Sequence, residues 1–170
     1  MRTLIASVTI VALTAMIVGT AALAATTGSV TATVTAGIVA VTVSDGAVAY
    51  GAVLSSASTA TGDGDSIDDT QTITNTGNVN EDFEVKASNS TGQVWTLGAV
   101  AGDATYVHAT CIATCDTTPA WTALTASYAD RATAKTPSST TALDLKVTVP
   151  TANAGTGVAT LPVDILASAS

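Results

Sequence analysis

Charged side chains are scarce in this chain, and basic ones most of all. Its 170 residues include five Lys and Arg against thirteen Asp and Glu, which gives a formal net charge of −8 at neutral pH. Clustered basic residues supply most of the affinity for nucleic acids and for anionic lipid surfaces. The composition therefore argues against nucleic-acid binding and against electrostatic docking on a membrane.

The sequence also lacks the motifs of common enzymes. His108 is its one histidine, and neither Gly-x-Ser-x-Gly, His-Glu-x-x-His nor a phosphate-binding Gly-rich loop occurs. We expect His108 at the surface or half-buried on a strand, and not as a general base. The sequence therefore predicts a protein that is not an enzyme.

Only one long apolar run is present, and it lies at the N-terminus. Arg2 precedes the run Leu4–Leu23, and Ala22-Leu23-Ala24 fits the small-x-small rule of signal-peptidase cleavage. A retained anchor is the alternative, but Thr and Gly interrupt the run, which favours a cleaved signal peptide over residues 1–24. No second apolar span follows, so we expect no membrane span after cleavage.

Thr, Val, Ala and Gly dominate the rest of the chain, and aromatic residues make up 4% of it. β-Branched side chains lose rotamer freedom in a helix and pack well on a pleated sheet. Seven strands follow the Asp45-Gly46 turn region: Thr70–Asn75, Asp82–Ala87, Val94–Ala99, Thr105–Thr110, Trp121–Ala126, Ala142–Val149 and Val158–Ala167. The sequence predicts an all-β protein, folded as a single antiparallel β-sandwich of jelly-roll or immunoglobulin-like type.

Finer details follow from turn residues and alternation. Asp45-Gly46 followed by Ala47–Tyr50 predicts a β-hairpin, and the Ser-, Gly- and Asp-rich stretch Ser55–Asp69 predicts a loop. Alternation in Ala142–Val149 predicts one buried and one wet face. Pro162 cannot donate a ladder hydrogen bond, so the last strand is expected at a sheet edge.

Residues 25–44 carry no charged side chain, and they precede the sandwich domain expected at 45–170. Twenty extended residues would reach roughly 65 Å, whereas ordinary strands span about 17–20 Å. Either this segment breaks near Gly37 into two strands of its own domain, or its first half is donated to a neighbouring subunit as an added strand. The alternating apolar residues expected to mediate assembly are Val30, Val34, Ile38, Val39, Val41 and Val43.

Cys111 and Cys115 are the only cysteines, and four positions separate them. In an exported protein this pair predicts a local disulfide. The rival interpretation adds His108 and Asp116 to make a metal site, but it lacks the paired Cys-x-x-Cys spacing of structural zinc.

Two further patterns suggest ligands. Clustered carboxylates with glycines can bind calcium through oxygen, although turn-forming Asp and Gly in a solvated acidic loop are the alternative. Trp121 follows a loop and could stack on a glycan, although aromatic residues of a sandwich usually pack in its core or rim. The candidate calcium ligands are Asp63, Asp65, Asp68 and Asp69.

The run Thr70–Val79, with its Thr-Asn-Thr-Gly-Asn turn, resembles the strand–turn element of exported bacterial and archaeal surface sandwiches. The order of signal peptide, uncharged N-terminal strand and single sandwich resembles that of the camelysin/TasA-like proteins and the archaeal bundling pilins. That resemblance implies subunits that polymerise into biofilm fibres by donating the N-terminal strand. Camelysin-like proteins have been described as proteases. This chain has no metalloprotease motif, so we do not expect protease activity from the resemblance.

Two functions remain open from the sequence. The first is a secreted structural subunit of an extracellular or cell-surface filament, a homopolymer that needs no cofactor. The second is a monomeric surface module that binds glycan or protein through its loops and is stiffened by calcium.

Overall fold

The computed structural model describes residues 30–62, 67–112, 115–152 and 154–170, which contain strands and turns but no helix. The expected signal peptide, residues 1–24, lies outside the described residues, and no helix within them is long and apolar enough to cross a membrane. The strands are β1 (Val41–Val43), β2 (Ser58–Ala60), β3 (Gln71–Asn75), β4 (Glu81–Ala87), β5 (Thr96–Leu97), β6 (Thr105–Ile112), β7 (Thr122–Ala123), β8 (Ala129–Lys135), β9 (Thr140–Thr148) and β10 (Val163–Ala169). The expectation of an all-β protein is confirmed for this part of the chain.

The strands form two sheets. The larger has the order β1-β3-β9-β6-β5, with β2 paired to β9 and β7 to β6, and the smaller has the order β10-β4-β8. Neighbours are antiparallel except for the parallel pair β5–β6. Ile73, Leu143 and Leu145 of the larger sheet share one buried cluster with Phe83 and Ala132 of the smaller. The two sheets therefore pack on a common core, as in a β-sandwich.

The chain divides into two units, Met1–Val34 and Thr35–Ser170, and all ten strands of the described chain belong to the second. β3, β4, β6 and β9 lie within two residues of their expected positions. Phe83, Val85 and Ala87 are buried, as the alternation along β4 predicts. Pro162 directly precedes β10, which is an edge strand as expected.

The prediction of a β-hairpin at Asp45-Gly46 is wrong, because residues 47–50 form no strand. The side chain of Gln71 explains the difference. Its Oε1 accepts a hydrogen bond from the backbone N–H of Gly46, and its Nε2 donates to the carbonyl of Ala47. These hydrogen bonds attach the turn to the side chain of a β3 residue, so the chain does not fold back to pair with β1.

Two strands were not expected. β2 lies in the stretch Ser55–Asp69 predicted to be a loop, and β8 has no apolar alternation that could reveal it. The face of β9 that was predicted to be solvent-exposed is also partly buried, since Asp144 is buried. The hydroxyls of Thr61 and Thr70 donate hydrogen bonds to its carboxylate over 3.1 and 2.6 Å.

Candidate functional site

The uncharged N-terminal segment has two parts with different surroundings. Val30 and Val34 are 95% and 96% exposed, and they belong to the first unit of the chain. Val41 and Val43 lie in β1, which pairs with β3 of the same chain, and Val41 packs against the core. The downstream part of this segment is therefore built into its own domain, while the upstream part presents apolar side chains to solvent.

Residues 36–40 are held by one turn, Asn75–Glu81, which continues the β1–β3 pairing beyond β3. The side chain of Asn78 accepts from the N–H of Ile38 over 2.6 Å and donates to the carbonyl of Ala36 over 2.9 Å. Its backbone N–H also donates to the carbonyl of Ile38 over 3.0 Å. The N–H of Ala40 donates to Oε1 of buried Glu81 over 2.8 Å, and the carbonyl of Ala40 accepts from the N–H of Thr76. We call this set of contacts the Asn78 clamp.

The clamp is the structural role of the Thr-Asn-Thr-Gly-Asn run. Buried Asn75 donates to the carbonyls of Val79 and Lys135 and accepts from the N–H of Gly77, which fixes the turn. A Cβ at Gly77 would collide with the carbonyl oxygen of Ile38 and with Oε1 of Glu81. Only glycine lets residues 36–40 approach this closely. The sequence pattern revealed the turn but not the segment that it binds.

A cavity of about 1090 Å³ opens beside β10. Val41, Val43, residues 46–51 and residues 158–165 contribute to its lining. Leu143 and Leu145 of β9 also contribute to the lining. Its volume is slightly above the roughly 300–1,000 Å³ typical of ligand pockets. The cavity is thus a largely apolar cleft with room for several side chains; we call it the β10 cleft.

Tyr50 and His108 meet in the lining of this cleft. The Tyr50 hydroxyl lies 2.9 Å from Nε2 of His108, and the rings meet edge to face. His108 is almost fully buried, which corrects the expectation of a surface or half-buried residue. Burial lowers the pKa of His108 to about 4, while burial and the charge of Asp69 raise the pKa of Tyr50. Nδ1 of His108 has no hydrogen-bond partner among the described residues.

Tyr50 anchors a stretch that has little other support. Among the described residues, the backbone N–H and carbonyl groups from Val48 to Val53 have no hydrogen-bond partner. Val48 and Tyr50 nevertheless pack against the core. Side chains alone therefore hold this stretch beside the β10 cleft.

The other candidate residues are placed as follows. Cys111 and Cys115 form a disulfide with their Cα atoms 5.8 Å apart, so neither thiol is free for the rival metal site with His108. Asp63 and Asp65 lie outside the described residues; Asp68 is exposed, and Asp69 accepts a hydrogen bond from Gln71 over 2.8 Å. Within the described ranges no cluster of three or more His, Cys, Asp or Glu side chains could hold a metal ion.

Trp121 is half-buried, and the ammonium of Lys146 lies 5.7 Å from its ring centroid. This distance is within the range of a cation–π contact. One partner of the indole ring is thus supplied by the chain itself.

The fold and these contacts define an all-β protein with two packed sheets and a disulfide, a bond typical of proteins outside the reducing cytosol. No protein-family model, curated protein or solved structure matches the chain. Its function is therefore inferred from its own geometry.

Proposed function

We propose that this protein is a secreted structural subunit of an extracellular or cell-surface filament, which assembles when the N-terminal strand of one subunit adds to the next. The observation that carries the proposal is the almost complete exposure of Val30 and Val34 in an uncharged stretch ahead of the packed unit. Exposed strand-forming segments are normally protected by Lys, Pro or inward-pointing charges. This one has no such protection, and a partner strand would cover it.

The Asn78 clamp limits which residues of the N-terminal segment can be donated to a neighbouring subunit. Ala36 to Val43 are hydrogen-bonded to the turn and to β3 of their own domain. The donated strand accordingly ends near Thr35, so Val30 and Val34 enter the neighbour. The downstream members of the expected assembly set, Ile38, Val39, Val41 and Val43, instead anchor that strand to its own subunit.

A donated strand gives a head-to-tail contact. Such a contact uses different surfaces on the two partners, and it produces a filament when the rotation between subunits does not close a ring. The disulfide and the scarcity of charge are in keeping with an exported fibre protein. The proposal includes a cleaved signal peptide and a single sandwich of jelly-roll or immunoglobulin-like type, as in the camelysin/TasA-like and bundling-pilin fibre subunits that the sequence resembles.

Electron microscopy of two purified chains tests the proposal. Residues 25–170 should form filaments in negative stain over a range of concentrations, whereas residues 35–170 should stay dispersed. Dispersed particles from both chains would overturn the filament and support the monomeric binding module.

Point variants separate loss of strand addition from loss of folding. Val34→Asp places a charge on the apolar face of the donated strand and should abolish filaments while the monomer stays folded by circular dichroism. Thr33→Asp adds the same charge one residue away, on the opposite face, and should assemble at least partly. Filaments formed equally well by Val34→Asp would contradict donation of this strand.

A further inference from the structure

The edge strands of the two sheets differ greatly in length. Among the described strands that lie at a sheet edge, only β8 and β10 are longer than three residues, with seven residues each. An added strand gains affinity from a row of backbone hydrogen bonds, so a long edge is needed to accept it. The choice of acceptor therefore lies between β8 and β10.

β8 carries the features that protect an edge from pairing. Its register with β4 shifts twice, around Phe83, and Ala134 has a φ of 51°. Its seven residues include Asp130, Arg131 and Lys135. Irregular backbone and charged side chains are the usual means by which proteins prevent a further strand from adding.

β10 has almost none of these features. It pairs with β4 in an unbroken register from Val163 opposite Ala87 to Ala169 opposite Glu81. Its one charged residue, Asp164, lies 3.6 Å from the ammonium of Lys86 on the neighbouring strand. Leu166 is 41% exposed on its outer face. The edge of β10 is thus regular, apolar and without a strand partner in the described chain.

The β10 cleft adds a place for side chains beside that edge. Val163 and Ile165 line it from β10, and Leu143 and Leu145 line it from β9. Residues 46–51 also line the cleft, and the backbone groups from Val48 to Val53 have no hydrogen-bond partner in the described ranges. A strand that entered the cleft would find apolar side chains there, together with the unpaired backbone groups of the β10 edge and of residues 48–51.

We propose that the free edge of β10, with the β10 cleft beside it, accepts residues 25–35 of a second copy of this chain. This inference rests on the filament function proposed above and names the acceptor site for it. The eleven residues would extend about 36 Å at about 3.3 Å each, and the seven of β10 about 23 Å. The donated segment is therefore about four residues longer than the edge of β10 and can cover the whole of it.

The side-chain patterns of donor and acceptor agree. Val30, Ala32 and Val34 alternate with Thr31, Thr33 and Thr35 in the donor. In β10 the core-facing residues Val163, Ile165 and Ala167 alternate with Asp164, Leu166 and Ser168. The donor therefore sends an apolar face into the cleft and a Thr face outward, and it brings no charge that would have to be buried.

Cross-linking between copies tests the acceptor. Thr33→Cys is mixed in filaments with Leu166→Cys or, as the matched control, with Thr133→Cys on β8; all three positions are exposed. Each chain carries one free thiol, so a short bismaleimide can join a donor to an acceptor only between two copies. We expect the Thr33–Leu166 product, identified by peptide mass spectrometry, to exceed the Thr33–Thr133 product at least tenfold.

Every outcome bears on the proposal. Filaments whose cross-links favour Thr133, or that give neither product, would overturn β10 as the acceptor and leave the filament function standing. Dispersed particles from the unsubstituted chain would overturn the filament function and this inference with it. Products confined to Thr33–Leu166 support both.

Discussion

The hydroxyl oxygen of Tyr50 lies 2.9 Å from Nε2 of His108, fifty-eight positions along the chain. This contact joins an otherwise weakly held stretch, residues 48–53, to the middle of β6. Because His108 is almost fully buried, its neutral form is the one that the folded protein stabilises.

The first prediction is that His108 makes stability depend on pH. Its pKa is lowered to about 4 in the folded protein, against 6.5 ordinarily. Between these values the unfolded chain binds a proton that the folded protein does not, so the free energy of unfolding rises with pH and levels off above about 6.5. We expect a loss of up to about 3 kcal/mol on going from pH 7 to pH 4, measured by urea denaturation.

A His108→Gln variant provides the control for that experiment. Glutamine does not ionise, and its amide can still hydrogen-bond the Tyr50 hydroxyl. Its stability should vary less over the same pH window, because the side chain at position 108 then takes up no proton on unfolding. Identical pH dependence in the two proteins would contradict a role for His108.

The second prediction concerns the Asn78 clamp. Asn78→Ala removes the side-chain hydrogen bonds to Ile38 and Ala36. We expect a loss of about 1–2 kcal/mol in the stability of this segment, seen as faster amide hydrogen exchange at Ile38. Asn80→Ala is the matched control, since Asn80 is exposed in the same part of the chain and its side chain has no partner among the described residues. Equal exchange at Ile38 in both variants would show that the side chain of Asn78 contributes nothing to the clamp.

Gly77→Ala is a third test, because it acts on the same clamp by steric means. The added methyl group would meet the carbonyl of Ile38 and the carboxylate of Glu81. Overpacking of this kind costs about 1–3 kcal/mol, so the melting temperature should fall by several degrees. At Gly102 an added Cβ has 3.8 Å to its nearest neighbour, Thr105, and Gly102→Ala should leave the melting temperature nearly unchanged. The prediction fails if the two variants melt together.

The fourth prediction is that the disulfide contributes only modestly to stability. Cys111 and Cys115 enclose a very short loop, for which the chain-entropy model gives about 2 kcal/mol. A Cys111→Ala/Cys115→Ala variant should therefore fold and unfold at a moderately lower urea concentration. Failure of the variant to fold would show that the bond is needed to form β6.

Local patterns in the sequence revealed the features that depend on neighbouring residues. Alternation identified β4 and β9 with their buried faces, and the four-residue spacing of Cys111 and Cys115 identified the disulfide. Each of these depends on side chains that lie close together along the chain. β8 was missed because its Ala-rich and charged sequence has no such pattern, and its strand structure comes from pairing with β4.

The candidate site depends on contacts between distant residues, which no local pattern encodes. Asn78 binds Ile38 from forty positions away, and Gln71 redirects the expected hairpin from twenty-four positions beyond Ala47. The acidic loop shows that local patterns can also miss a contact between nearby residues. The side chain of Gln71 donates a hydrogen bond to the carboxylate of Asp69, and the clustering of carboxylates in the sequence did not predict this.

The Asn78 clamp also has a mechanical consequence. Residues 36–40 are the first part of the packed unit that a pull on the upstream chain reaches, and five hydrogen bonds from a single turn hold them there. In the filament proposed above, tension passing from one subunit to the next would be resisted by this turn as well as by the contact between subunits. The tensile strength of that proposed filament would then be set by whichever of the two yields first.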